Sequence, residues 1–141
     1  MTEDQRRAIE ADVTRLIHAY TWANDDADWH ACAALYTADA RFRRPSGGEP
    51  IVGREAILAG FLARAPRVQR HAIANVLVEV VDDNTARARS VIVLYMGDAV
   101  PDGLPVQDAK SPLIGTFTDL CVRTAEGWRF AERVGGLDFR P

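Results

Sequence analysis

Apolar residues recur at helical spacing through the first twenty positions of the chain. The residues that share one face of this helix are Ile9, Val13, Leu16, Ile17 and Tyr20. Thr2 and Gln5 have the spacing of a capping box, which predicts that the helix begins there. The same periodicity predicts a short second helix over 28–36 and a third over 54–65, which Pro66 ends.

The rest of the chain has the pattern of β-strands. Strands are predicted over 40–44, 69–81, 85–95, 113–124 and 128–137, with turns at 82–84 and 125–127. The segment 97–112 is polar and contains proline, which is typical of a disordered segment, a lid or an oligomer contact. Helices followed by antiparallel hairpins indicate an α+β domain, in which the helices cover one face of a sheet.

Composition narrows the class of protein. The chain has 141 residues, which suits one domain over 1–141, with 48% hydrophobic and 26% charged residues and a net charge of −3. Its basic residues are scattered, so we expect no nucleic-acid partner. No signal-peptide pattern or membrane span is evident, and both cysteines suit a reduced protein, so we expect a cytoplasmic location without a membrane partner.

Residues 20–29 place three carboxylates between two tryptophans. Asp26 and Asp28 precede an apolar run and suit the N-terminus of a helix, where carboxylates accept free amide protons. Asp25 comes one residue too early for that role. Helical periodicity keeps Asn24 near the apolar stripe and turns Asp25 away, so Asp25 faces inward only if the helix ends or bends near Asn24. A structural and a catalytic role for Asp25 both stay open.

Strand alternation separates two faces of the segment 69–81. The even positions are wholly apolar, whereas the odd face is mixed and comprises His71, Ile73, Asn75, Leu77 and Glu79. The odd face is therefore either solvent-exposed or, in its first half, a polar pocket lining, with the even face in the core or at a subunit interface.

The strand over 113–124 raises a similar choice. Phe117, Asp119, Cys121 and Arg123 share one face of this strand. An aspartate between Phe117 and Cys121 indicates either a pocket or a salt bridge to Arg123.

Several motifs taken together resemble the SnoaL-like branch of the NTF2-like superfamily. They are Asp25 after the first helix, the Asp28-Trp29 pair, the His71-x-x-x-Asn75 strand and the ending Leu113-Ile114-Gly115, Thr118-Asp119, Gly127-Trp128. Within that branch the chain is most similar to scytalone dehydratase and the lindane dehydrochlorinase group. The resemblance covers nearly the whole chain and implies a cone, in which three N-terminal helices pack on a curved, mostly antiparallel sheet around a pocket.

The resemblance also implies a catalytic pair and a reaction. In those enzymes a cavity histidine is the base and an aspartate its partner, which by position implies His71 and Asp25. The predicted activity is that of a lyase that eliminates water or halide from a small, mostly apolar ring compound. The residues predicted to bind the substrate are Tyr20, Asn75, Tyr95, Asp119 and Arg123, of which Tyr20, Tyr95 and Arg123 are candidates to hold or protonate the leaving group.

No nucleotide-binding loop, nucleophile elbow or metal-ligand spacing is present in the sequence, so we expect acid–base chemistry without a cofactor or metal. One histidine with one carboxylate is the minimal set for it, because histidine titrates near neutral pH and a carboxylate fixes its tautomer. Valine-rich strand faces exceed what three short helices cover, which predicts a homo-oligomer, a trimer or a dimer.

Departures from the resemblance leave two alternatives open. The second histidine of scytalone dehydratase would fall near Tyr95 or Met96, and the base of ketosteroid isomerase would fall near Arg44, which cannot accept a proton. The first alternative is an isomerase or a polyketide cyclase that depends on Asp119. The second is a non-catalytic ligand-binding or scaffold subunit, like the small subunit of ring-hydroxylating dioxygenases.

Overall fold

Three helices and a seven-stranded sheet form the protein, whose computed structural model describes residues 1–141. The helices are α1 (Glu3–Asp25), α2 (Trp29–Ala34) and α3 (Arg54–Leu62). The strands are β1 (Tyr36–Arg43), β2 (Ile51–Val52), β3 (Val68–Asp82), β4 (Thr85–Asp98), β5 (Val106–Gln107), β6 (Leu113–Thr124) and β7 (Gly127–Leu137).

The sheet is mostly antiparallel. Its strand order is β2-β1-β7-β6-β4-β3, with β5 paired to β4, and only β1 and β7 run parallel. The first and last long strands in this order, β1 and β3, are far apart along the sheet, and its curvature lets both face one cavity. The predicted α+β fold, three helices on a curved sheet, is confirmed.

Helix α1 begins as predicted. The Thr2 hydroxyl accepts a hydrogen bond from the Gln5 amide at 3.1 Å, and the Gln5 side chain accepts one from the Thr2 amide at 2.8 Å. The whole predicted apolar stripe is buried, from Ile9 to Tyr20. Burial of this stripe against the sheet stabilises the helix more than its intrinsic propensity does.

Helix α2 is shorter than its predicted range of 28–36. Asp28 caps it by accepting a hydrogen bond from the Ala31 amide at 3.2 Å, and the helix ends at Ala34. Tyr36 instead opens β1, where it pairs with Phe130 of β7. Helix α3 ends at Leu62 rather than at residue 65. Pairing with β7 is a long-range effect, which local periodicity does not contain.

Strand β3 carries a β-bulge at Asn75. The register with β4 shifts between Ala74 and Leu77, and Asn75 has a φ of +53°, in the left-handed region. His71 and Ile73 face inward before the bulge, whereas the valines at 76, 78 and 80 pack on the core after it. The prediction that odd and even positions keep the same faces along the whole strand is therefore wrong. The extra residue in the bulge moves the odd positions that follow it to the opposite face of the sheet.

The core lies between the helices and the concave face of the sheet. It is a cluster of 19 buried residues, in which aromatic rings pack edge-on or tilted at centroid distances of 5.5 to 5.9 Å. Both cysteines are buried and free. None of the three helices combines the length and the apolar character that a membrane crossing requires.

The segment 97–112 is ordered against the sheet through β5. The guanidinium group of Arg67 ties it down, because it contacts the Asp98 carboxylate at 2.9 Å and the Asp108 carboxylate at 2.7 Å. The Ser111 hydroxyl also accepts a hydrogen bond from the Met96 amide at 3.1 Å. We call this segment the flap. Its pairing with β4 argues against the predicted disordered segment, whereas the lid and the oligomer contact stay predictions.

Candidate active site

A cavity of about 700 Å³ lies between the end of α1 and the concave face of the sheet. This volume is within the usual range of small-molecule sites. Half of its 24 lining residues are hydrophobic. The apolar wall comes from residues such as Trp29, Phe42, Ile92, Leu113 and Phe117, so the cavity suits a mostly apolar ligand that carries a few polar groups.

Asp25 and His71 meet at the wall of this cavity. The Asp25 Oδ2 atom accepts a hydrogen bond from the His71 backbone amide at 2.8 Å, and its Oδ1 atom lies 2.5 Å from His71 Nδ1. The Asp25 side chain is 3% exposed and that of His71 is 14% exposed. The predicted contact between these two side chains is present. A carboxylate on Nδ1 favours the tautomer that leaves Nε2 unprotonated, and Nε2 has no hydrogen-bond partner within the protein.

The end of α1 explains how Asp25 reaches the strand. The helix ends at Asp25, and Ala27 then adopts a φ of +55°, which turns the chain toward α2. Asn24 accepts two hydrogen bonds from the Gln69 side-chain amide, at 3.0 Å to its backbone oxygen and 2.5 Å to Oδ1. Two adjacent helix residues therefore contact Gln69 and His71, which share one face of β3 because they are two positions apart.

Tyr20 is the only other predicted site residue that lines the cavity. Its hydroxyl accepts a hydrogen bond from the Tyr36 hydroxyl at 2.9 Å, and the two rings pack edge to face. Burial raises the pKa of Tyr20 well above its ordinary value, so its hydroxyl stays protonated at neutral pH.

Four of the five predicted substrate-binding residues lie outside the cavity, namely Asn75, Tyr95, Arg123 and Asp119. Asn75 is exposed at the bulge of β3. Tyr95 is 42% exposed, because its neighbours Leu94 and Met96 occupy the inward positions of β4. The prediction that Asn75 and Tyr95 contact the substrate from the cavity wall is thus wrong for this structure.

Arg123 is the third of these residues. It lies at the opposite end of β6 from the cavity, six positions or about 20 Å beyond Phe117. There it donates a hydrogen bond to the Asp83 carbonyl at 2.9 Å, and its guanidinium group stacks 5.0 Å from the Trp128 ring centre. The predicted role of Arg123 in holding a leaving group is therefore wrong.

Asp119 is buried behind Phe117 and does not line the cavity. Its carboxylate lies 3.5 Å from Nε of Arg133, and both side chains are inaccessible to solvent. Neither charged group completes a hydrogen bond, and the Arg133 guanidinium is surrounded by three aromatic rings. Burial raises the pKa of Asp119 to about 6, against the opposing effect of Arg133. The prediction that Asp119 lines the pocket or pairs with Arg123 is therefore wrong, because the carboxylate is buried outside the cavity and its ion-pair partner is Arg133.

One known protein family matches this sequence. The SnoaL-like domain family matches residues 5–134, which is most of the chain. The chain is a SnoaL-like domain. No protein of curated function matches it in sequence.

Solved structures share the fold of this SnoaL-like domain. A proposed scytalone dehydratase from Novosphingobium aromaticivorans is 20% identical with a TM-score of 0.80, over 98% of this chain and 89% of that one. An NTF2-like protein with a cystatin-like fold from the same organism is 22% identical with a TM-score of 0.75, over 98% and 88%. A Catenulispora acidiphila protein in complex with S-DNPA is 26% identical with a TM-score of 0.74, over 94% and 95%.

Other solved structures with this fold are described as a dehydratase from Streptomyces avermitilis and a ketosteroid isomerase-like protein from Erwinia carotovora, so the fold alone does not choose the reaction. The reaction must therefore be inferred from the residues that line the cavity. In this SnoaL-like domain no group of three or more His, Cys, Asp or Glu side chains is arranged as a metal site.

Two cavity residues, Arg44 and Arg64, were missed by sequence reasoning. Arg44 directly follows β1, and its guanidinium donates a hydrogen bond to the Gly60 carbonyl at 3.3 Å. Arg64 lies just after α3 and stacks on Trp29 and Phe61, with its Cζ atom 5.1 and 4.7 Å from the ring centres. Neither lies in a recognisable motif, and only the curvature of the sheet brings both to the cavity.

Proposed function

We propose that this SnoaL-like domain is a cofactor-independent lyase that acts on a small, mostly apolar ring compound. The observation that carries the proposal is the Asp25–His71 contact at the wall of the cavity. A histidine held in one tautomer by a buried carboxylate is the arrangement that a general base requires. The apolar walls around His71 suit a mostly apolar substrate and keep water away from the carbon that reacts.

In the proposed reaction Nε2 of His71 removes a proton from a carbon of the substrate. The electron pair of that C–H bond forms the new C=C bond, and the leaving group departs from the neighbouring carbon with its own bonding pair. A hydroxyl leaves as water after it gains the proton that the His71 imidazolium carries, whereas a halide leaves as the anion and the imidazolium then loses its proton to solvent. Asp25 stabilises the imidazolium that forms on His71, and Tyr20 shapes the wall of the cavity beside it.

The isomerase or cyclase alternative requires Asp119 to contact the ligand. That carboxylate is 2% exposed, pairs with Arg133 and lies outside the cavity lining. In a binding or scaffold subunit the Asp25–His71 contact would join α1 to β3 only, and the orientation of the imidazole toward the cavity would have no use. The lyase proposal uses this contact, and we therefore favour it.

Proton exchange in deuterated water tests the proposal before the substrate is known. The wild-type protein, incubated with ring alcohols and ring halides that bind it, should exchange or remove a hydrogen at one ligand carbon. His71→Ala should lower the rate by roughly 10²- to 10⁴-fold, the usual contribution of a positioned base. His30→Ala, an exposed histidine on α2, is the matched control and should leave the rate unchanged.

Three results are decisive. If Asp119→Asn is the damaging change and His71→Ala is mild, the isomerase or cyclase alternative replaces the lyase. If no bound ligand shows exchange or elimination with the wild-type protein, the domain is a binding subunit. If His71→Ala and His30→Ala behave alike, His71 is not the base.

We also propose that the protein forms a homo-oligomer, a trimer or a dimer, through the outer face of β3 and β4. The exposed apolar residues of this face include Leu77, Val81 and Tyr95, and charges of both signs, such as Glu79 and Arg87, lie among them. A second copy can match both its apolar and its charged positions. Sedimentation at micromolar concentration should show a species above 15.5 kDa that Leu77→Glu dissociates, and a wild-type monomer would contradict this.

A further inference from the structure

Two arginines on the cavity wall have no acidic partner. Arg44 and Arg64 both line the cavity, and no carboxylate of the protein lies within ion-pair distance of either. We propose that they form an anion-binding subsite, and that the substrate is an apolar ring compound bearing a carboxylate. This inference rests on the proposed function, because it names the substrate class of the same cavity.

Position supports this subsite. Arg44 follows β1 and His71 belongs to β3, so they come from opposite ends of the sheet yet line one cavity. A ligand in this cavity can therefore place its anionic group at the arginines and its reactive carbon at His71. The Asp25 carboxylate contacts His71 and forms no ion pair with either arginine, so it does not neutralise them.

The polar atoms of the two guanidinium groups are incompletely satisfied. Arg44 makes one hydrogen bond, to the Gly60 carbonyl, while its Nε atom is buried without a partner. Arg64 makes no hydrogen bond through its side chain and is held by the Trp29 and Phe61 rings. Unpaired donors in a partly buried site are costly until an acceptor binds them. A carboxylate, which accepts two parallel N–H bonds from one guanidinium, matches them in charge and shape.

Burial lowers the pKa of Arg64, and the neighbouring Arg44 lowers it further. The two positive charges therefore interact unfavourably in the empty cavity, and an anion between them would relieve that repulsion. A third arginine of the cavity wall, Arg67, differs from Arg44 and Arg64 because it has acidic partners. Arg67 also lines the cavity, but Asp98 and Asp108 occupy its guanidinium, so it ties down the flap instead of offering a site.

Calorimetric titration with biphenyl-4-carboxylate and biphenyl-4-carboxamide tests the subsite. The two probes have nearly the same shape and apolar area, and only the first is charged. With the wild-type protein the carboxylate should bind roughly ten- to a hundredfold more tightly, as a charge-assisted hydrogen-bond pair permits. Its affinity should fall as salt concentration rises, whereas that of the amide should not.

Arg44→Gln and Arg64→Gln should each lower the preference for the carboxylate at least severalfold while leaving the affinity for the amide nearly unchanged. Arg41→Gln is the matched control, because Arg41 is an exposed residue of β1 outside the cavity lining, and this change should preserve the preference. Equal binding of the two probes by the wild-type protein would overturn the subsite, and so would absent carboxylate binding at millimolar concentration. This comparison needs no variant, so a misfolded variant cannot obscure it.

Binding and chemistry are measured separately, so the two proposals can fail independently. Preferential carboxylate binding without carbon–proton exchange supports the anion subsite and removes the lyase function. Exchange on neutral ring compounds together with equal binding of the two probes supports the lyase and overturns the subsite. In the His71→Ala variant the preference for the carboxylate should persist, because His71 makes no hydrogen bond or ion pair with Arg44 or Arg64.

Discussion

Asp25 holds His71 at two points, although the residues are 46 positions apart in the sequence. One carboxylate oxygen accepts the backbone amide of His71, and the other contacts Nδ1 of its ring. The first contact sets the distance between α1 and β3, and the second sets the tautomer and the angle of the imidazole. One buried side chain therefore positions both the strand and the proposed base.

Asp25→Asn should lower turnover as much as His71→Ala does or somewhat less, within roughly 10²- to 10⁴-fold. The amide still accepts a hydrogen bond from the backbone of His71, but it carries no charge to stabilise the imidazolium. Asp26→Asn is the matched control, since Asp26 is exposed at the helix end. Single-turnover rates of the wild type and the three variants on one substrate make the comparison. Equal rates for Asp25→Asn and the wild type would contradict the proposed partnership.

The buried Asp119 should make stability depend on pH. Its pKa is about 6 in the folded protein and about 3.8 when unfolded. A raised folded pKa contributes stability that is present below pH 3.8 and lost as pH rises through 6. The unfolding free energy of the wild type relative to Asp119→Asn should thus fall by about 2–3 kcal/mol between about pH 4 and pH 7. Urea unfolding across this range measures it, and a constant difference would refute the assignment.

The bulge at Asn75 should tolerate glycine but not a β-branched residue. Asn75→Val places a branched side chain at a positive φ and should destabilise the protein by about 1–2 kcal/mol. Asn75→Gly should be close to neutral, because glycine adopts this φ without strain. Val68→Thr, at the exposed start of the same strand, is the control and should change stability by about 0.5 kcal/mol or less. Chemical denaturation of all three variants compares them.

Arg67 should control the order of the flap over residues 97–112. Arg67→Gln removes its contacts with Asp98 and Asp108, so amides of β5 should exchange with solvent faster, while those of α1 remain protected. Arg70→Gln, three residues further along the chain, serves as the control, because Arg70 stacks on exposed Trp22 and does not touch the flap. Hydrogen exchange followed by mass spectrometry resolves these segments. Unchanged exchange in β5 would show that β-pairing alone holds the flap.

The helices and hairpins could be predicted from the sequence because the residues that specify each of them are close together in the chain. The capping box at Thr2 and Gln5, the apolar stripe of α1 and the hairpin turns all depend on residues a few positions apart. The strand over 113–124 has the predicted bounds, and its neighbours differ from theirs by a few residues. The Asp25–His71 contact was predicted from the family resemblance, whereas helical periodicity alone turned Asp25 away from the core.

Tertiary structure alone decided which polar residues share the cavity. The bulge at Asn75 exchanges the faces of β3, and the alternation of the sequence does not mark it, although asparagine adopts a positive φ more readily than most residues. The partner of Asp119 is Arg133 on the adjacent strand, since the register of β6 and β7 places them opposite each other. Arg44 and Arg64 reach the cavity only because the sheet curves, and curvature is a property of the assembled strands rather than of any one segment.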